Sequence, residues 1–426
     1  MRATTFHSVC VPVTSVPAAR KQGVKATQAV CAGKASCTVA RVASANLSSR
    51  SSAFSSKTAG LVAQRQFSVA ASRNVLIVEA AKESVCIVNT NSGGHAVLGF
   101  YLAKELAEKG HAVTIMVPGD EKDKKMNKTP FNRFDELREA GVTTVWGDPK
   151  EMAKATKDGK YDVVVENNGK KLEEVKPVAD WAKAIGASQF LYVSSAGMYE
   201  STALPPITEN DPVDKTAGHA KVEEYCAKLE GIHFSAFRPQ YMVGSGNNKD
   251  CEEWFFDRMV RSMPIYIPGS GMQIVNVAHA SDNAHMIALA VGNEKAHGQI
   301  FNCVRDKGVT LNQFVQICSD VSGIDVKVEN YDPAALGISA KKAFPFRTEY
   351  HFFCVPKNAE KLLGWAPKND LSTDLVERFT EYMKSPRFTD DKLEFEYDQL
   401  IGDSIRIDME LFLKELNEIH DMEYMI

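Results

Sequence analysis

Acidic residues are missing from the start of this 426-residue chain: Glu79 is the first of its 54 Asp and Glu. The first 78 residues instead carry ten Lys or Arg and twelve Ser. A basic, Ser-rich, acid-free opening has the composition of an organelle transit peptide, and its richness in Ser favours a plastid over a mitochondrion. It lacks the apolar centre and small-residue cleavage site of a secretory signal. Residues 1–80 are therefore expected to be a disordered chloroplast transit peptide, cleaved near Ala80 to Lys82, that leaves the rest of the chain in the stroma.

Other absences narrow the class further. No apolar run approaches 18 residues, so no membrane span is expected. Three of the nine cysteines (Cys10, Cys31 and Cys37) fall in the leader, and the other six have no CxxC spacing. Neither a zinc site nor a disulfide framework is indicated. Without its first 78 residues the chain keeps 54 acids but only 50 − 10 = 40 Lys and Arg, a net charge of −14. Bulk charge then opposes nucleic acid, whose phosphates must be met by local basic patches.

From Ser84 short apolar runs alternate with amphipathic stretches. "VCIVNT", "HAVTIMV", "VTTVWG", "YDVVVENN", "FLYVSS" and "FSAFRPQYMVG" read as buried strands, and "GFYLAKELAEK", "FNRFDELREA", "PKEMAKATKD", "VKPVADWAKAIG" and "AKVEEYCAKLEG" as helices. This alternation predicts an α/β fold, a doubly wound parallel sheet of the Rossmann type over residues 81–244. Residues 245–385 read as a smaller lobe interleaved with the last strand, and 386–426 as an acidic extension containing one amphipathic helix.

"NTNSGGHAVLGF" places a glycine turn between the first strand and first helix, where backbone N–H groups can meet a pyrophosphate. The GxxGxxG spacing falls on Gly93, Ala96 and Gly99, with Gly94 inside the turn. The second strand ends in Val117 and Pro118 rather than a ribose-binding acid, and Asp120 comes late. Lys122, Lys124 and Lys125 could instead meet a 2′-phosphate. In order, "LYVSSAGMYE", "FRPQYMVGSG" and "HASDNAHMIALAVGN" resemble the serine strand, Arg-Pro strand and late Asp helix of extended short-chain reductases and epimerases. That resemblance puts Ser195 at the catalytic serine position and Asp148 at an adenine contact.

The reductase proton donor is missing. A YxxxK pair needs a phenol whose pKa a lysine lowers. Anchoring on Lys221 puts Ala217 at the tyrosine position, and anchoring on the helix acid Glu223 puts Lys215 and His219 where Tyr and Lys belong. Ordinary oxidoreduction is therefore not expected, and NAD(P) binding would be vestigial.

"KPVADWAKAIGASQFLYVSSAGMY", "FRPQYMVGSGNNKDCEEWFFDRMV" and "YDPAALGISAKKAFPFRTEYHFF", with the glycine turn, closely resemble the a-type chloroplast stem-loop-binding proteins across about residues 84–384. The resemblance implies an atypical reductase fold that binds stem-loop RNA and cuts it as a divalent-metal-dependent endoribonuclease. It also implies a b-type paralogue, the plastid ribosome and a plastid RNA polymerase complex as partners, in an oligomer. Two alternatives stand beside it: a non-catalytic RNA or ribosome scaffold, and an NAD(P)-dependent reductase or epimerase.

His219, beside Lys215 and Lys221 on the helix expected to face the old cofactor cleft, is the candidate base for RNA cleavage, and Lys221 and Ser195 are the other candidate catalytic residues. Asp250, Glu253 and Asp257 share a helical face at i, i+3, i+7 and could hold a hydrated Mg²⁺. Two basic, aromatic segments could hold unpaired RNA. "KDKKMNKTPFNRF" supplies Lys122, Lys124, Lys125, Lys128 and Arg133 with Phe131 and Phe134. "KKAFPFR" supplies Lys341, Lys342 and Arg347 with Phe344 and Phe346. The first is preferred, because it follows a strand at the carboxyl edge of the sheet.

Overall fold

The structure, a computed structural model, describes residues 82–202, 204–247 and 251–423. The expected transit peptide and Asp250 lie outside the described residues. Seven strands form one parallel sheet in the order β11-β6-β5-β4-β1-β2-β3. Its first six members are β1 (Ser84–Asn89), β2 (Ala112–Pro118), β3 (Thr143–Gly147), β4 (Val163–Asn167), β5 (Gln189–Val193) and β6 (His233–Pro239). Both faces are covered by helices, so the central strands are mostly apolar, buried throughout in β4 and β5 and in all but the first residue of β1.

Helix α1 (Gly94–Glu108) crosses from β1 to β2, and α2 (Phe134–Glu139) and α3 (Met152–Ala155) flank β3. Helix α4 (Leu172–Ala184) joins β4 to β5 and packs beside α5 (Gly218–Cys226). The long helix expected over "PKEMAKATKD" shortens to a 3-10 turn at Pro149–Glu151 and one α-turn, and it stops before Lys157 and Asp158, which take positive φ of 52° and 56°. The strand expected over "FSAFRPQYMVG" breaks at Gln240 into β6 and β7 (Tyr241–Val243), and β7 pairs away from the main sheet.

Beyond β7 lie α6 (Glu252–Met259), the short strands β8 (Ile265–Pro268), β9 (Ile274–Val275) and β10 (Val277–His279), and α7 (Ala280–Ala288). Strand β11 (Ile300–Cys303) then returns to pair with β6. The chain continues through β12 (Val309–Thr310), α8 (Leu311–Ser322), β13 (Val328–Tyr331), α9 (Ala340–Ala343), α10 (Leu371–Tyr382) and α11 (Glu396–Glu423). A second core of Phe255, Phe256, Phe314, Phe344, Phe346 and Tyr382 holds the lobe together. Helix α11 begins twelve residues before the expected stretch at Asp408. It is tied to α6 by the buried pair of Arg258 and Asp398, 2.6 Å apart.

Candidate nucleotide and RNA site

The strand order reverses between β1 and β4, the point at which doubly wound sheets bind ligands at the carboxyl ends of their strands. Asn89, at the end of β1, is fully buried, and its Nδ2 donates to the Ala96 carbonyl at 3.2 Å. Asn167, at the end of β4, donates to Asn89 Oδ1 at 2.7 Å and to the His95 carbonyl at 2.8 Å. Gly99 is required by this pair, since a Cβ there would lie 2.1 Å from Asn89 Oδ1. Gly93 takes φ of +82°, a turn that side chains disfavour, and delivers the chain into α1.

The first turn of α1 carries no acid and no side-chain cap. Gly93 and Gly94 thus fit the diphosphate of a dinucleotide, which when bound would supply hydride chemistry. The ribose end fits less well. Asn91 Nδ2 donates to the Pro118 carbonyl at 2.9 Å, and Asp120 Oδ1 accepts from Lys122 N at 2.8 Å. Asp148 is exposed and caps its own turn by accepting from Lys150 N at 2.9 Å.

A cleft of about 670 Å³ runs from Gly94 and His95 to Ser195, and residues 341–352 line its outer side. Ser195 Oγ accepts from Gly197 N at 3.1 Å. Arg347 Nη2 donates to the Gly197 carbonyl at 3.0 Å, and its guanidinium lies 4.8 Å from the Phe352 ring centre and bonds the Tyr350 hydroxyl. The cleft therefore holds phenols, Tyr241 and Tyr350, that come from outside the YxxxK helix. Tyr241 accepts from Arg347 N at 2.8 Å, and burial pushes its pKa up. A reductase lysine would push it the other way.

The α5 candidates are placed differently from expectation. His219 does not line the cleft; its Nδ1 is 2.7 Å from the Tyr192 hydroxyl, which also reaches the Gly169 carbonyl at 3.1 Å. Tyr192 packs among the apolar side chains under α4 and α5, which draws His219 to that side of the sheet. Burial lowers the histidine pKa to about 4, with Lys170 adding to the shift against Glu223 and Glu174. Lys221 is exposed and likewise outside the cleft lining. Glu223 grips Arg238 of the Arg-Pro strand in a buried pair at 2.6 Å.

The expected metal face also resolves otherwise. Glu253 and Asp257 do share one side of α6, but arginines occupy it. Glu253 pairs with Arg378 at 2.9 Å, and Asp257 pairs with Arg387 at 2.5 Å and accepts from the Tyr382 hydroxyl at 2.9 Å. Burial and neighbouring Glu252 raise the Glu253 pKa to about 7. Carboxylates already committed to guanidinium groups do not fit a divalent cation, and no cluster of three metal-ligating side chains occurs among the described residues.

Of the basic segments, Lys122, Lys124, Lys125 and Lys128 are exposed, and none pairs with a carboxylate among the described residues. Arg133 is instead taken by Glu136 at 2.7 Å and lies 4.7 Å from the Phe100 ring centre. Phe131, Phe134, Phe344 and Phe346 are all core residues, so none offers a face to a base. Arg347 belongs to the segment that the sequence ranks second. The basic, aromatic "KKAFPFR" is its only signal there, and its position in the cleft depends on contacts 150 residues away.

Residues 92–303 match the NAD dependent epimerase/dehydratase family. The Arabidopsis thaliana protein described as chloroplast stem-loop binding protein of 41 kDa b, chloroplastic, is 31% identical over 75% of this chain and 86% of its own length. The chain belongs to this stem-loop binding protein family. A UDP-glucose 4-epimerase of Corynebacterium glutamicum is 24% identical over 66% of the chain and 92% of its own length. Among solved structures, the Thermotoga maritima UDP-glucose 4-epimerase with UDP-glucose aligns with a TM-score of 0.55 at 17% identity, over 70% of this chain and 99% of that one. The Bordetella bronchiseptica enzyme WbmG with NAD and UDP aligns with a TM-score of 0.55 at 16% identity, over 73% and 97%. These two likenesses show the shared fold, and this chain carries it without the YxxxK phenol.

Proposed function

We propose that this chain is a chloroplast protein that binds stem-loop RNA through the lysine loop at Lys122–Lys128. The family relationship across most of both chains carries the reading. The four exposed lysines support it physically, because cations without protein partners are available to displace phosphate counterions. Fluorescence anisotropy with an RNA hairpin tests it: binding that weakens steeply with salt is expected, and no binding at low salt overturns it.

The finer reading is endoribonuclease cleavage in the stroma, after removal of residues 1–80, in association with a b-type paralogue, the plastid ribosome or a polymerase complex. His219 is the base we assign. Tyr192 can satisfy both of its contacts only by donating to Gly169 O and accepting from His219 Nδ1–H, which leaves Nε2 as the proton acceptor. The nitrogen would take the 2′-hydroxyl proton as that oxygen attacks the adjoining phosphate; the bond from phosphorus to the 5′-oxygen breaks, and the ring returns the proton to the leaving 5′-oxygen, giving a 2′,3′-cyclic phosphate and a free 5′-hydroxyl. The metal dependence implied by the resemblance finds no ligand set in Glu253 and Asp257, and no step is routed through it.

A further inference from the structure

Nine of the ten arginines from residue 82 onward pair with a carboxylate; Arg347 alone among the described residues does not. It is half-buried on the wall of the cleft, held by Gly197, Tyr350 and the face of Phe352. A fixed guanidinium with no protein anion is poised for an external one. Lys341 and His95 line the same cleft, and Glu349 is the one acid among its described lining residues. Gln240 adds a carbonyl oxygen, Oε1, that is buried without a partner. A phosphate held beside amide and phenol groups points to a nucleoside phosphate.

Two sources could supply that chemistry: a free dinucleotide or a nucleotide of the bound RNA. The surroundings favour RNA. Gly246 has φ of +87°, and a Cβ there would lie 2.7 Å from Thr129, so the turn at 244–247 lies directly against the end of the lysine loop. Asn247 of that turn lines the cleft and faces Gly94. A strand whose backbone follows the lysines is thereby led to the cleft mouth. The volume, about 670 Å³, suits one unpaired nucleotide and excludes a helix.

We propose that the cleft receives an unpaired nucleotide of the RNA, its phosphate bound by Arg347. This rests on the RNA-binding reading above. The probes are a fluorescein-labelled hairpin with an unpaired loop and the same stem closed as a blunt duplex. Arg347→Ala is expected to weaken the hairpin about tenfold, the scale of removing one base or phosphate interaction, while leaving the duplex unchanged. Arg347→Lys should fall between. Lys341→Gln, at an exposed position that leaves folding alone, should weaken the hairpin in the same selective way. NAD⁺ should displace the hairpin and spare the duplex. Hairpin binding indifferent to Arg347 and Lys341, or NAD⁺ that binds without displacing the hairpin, would overturn the cleft assignment only. Failure of the unaltered chain to bind either RNA would instead overturn the proposed function.

Discussion

The hydroxyl of Tyr192 on β5 stands 2.7 Å from Nδ1 of His219 on α5, joining the sheet to the helix that carries YxxxK in reductases. In this chain the helix presents a histidine oriented by a phenol. Tyr192→Phe keeps the ring and removes the orienting hydroxyl. We expect it to lower the cleavage rate about tenfold with hairpin affinity unchanged, whereas His219→Ala abolishes cutting. Single-turnover cleavage and anisotropy on the same preparations check both.

The low pKa of His219 sets the sign of its pH response. A histidine whose folded pKa drops from 6.5 to about 4 contributes stability that is full above 6.5 and is lost as pH falls toward 4. His219→Asn should therefore flatten the loss of thermal stability across that window. Melting temperatures from pH 8 to pH 4 would show it, and parallel curves would count against the burial argument.

Glu166 has the opposite sign. It is buried in β4, with Oε1 accepting from Asn168 N and Gly169 N while Oε2 has no partner. Burial raises its pKa from 4.5 to about 7. The raised value favours the folded state below pH 4.5, and the benefit is lost as pH rises through 7. Glu166→Gln keeps the acceptor without the charge and should stabilise the chain at pH 8 by roughly 2–3 kcal/mol. Denaturant titration at pH 5 and pH 8 measures the difference.

Removing one partner from the α6 cluster should cost stability and leave cation response alone. Asp257→Asn breaks the ion pair with Arg387 and is expected to destabilise by on the order of 3 kcal/mol. Adding Mg²⁺ should shift the melting temperature of Asp257→Asn and of the unaltered chain equally. A shift confined to the unaltered chain would restore Asp257 as a metal ligand.

Replacing Lys122, Lys124, Lys125 and Lys128 by Gln should reduce the slope of log affinity against log salt by roughly 0.7–0.9 for each phosphate left without its lysine. Arg133→Gln should leave that slope unchanged, because Glu136 already neutralises the guanidinium. Equal effects would contradict the separation of ion-paired from unpaired bases.

The sheet was legible because parallel strands buried on both faces must be largely apolar runs, as "VVV" in β4 and "FLYV" in β5 are. The glycine turn was legible for a similar local reason. The site was less so. Periodicity correctly placed Glu253 and Asp257 on one helical face but could not show that Arg378 and Arg387, more than 120 residues later, fill the space opposite. Likewise, aromatic residues near lysines looked the same in sequence whether their rings faced solvent or, as with Phe131 and Phe346, the core.

The return of β11 to the main sheet has a practical consequence for shortening the chain. A version ending near Gly244 would appear from sequence to contain the whole nucleotide-binding half, yet it would strip β6 of its neighbour and bare a row of backbone donors and acceptors. Such a fragment should self-associate through that edge, so any minimal form has to extend at least through Cys303.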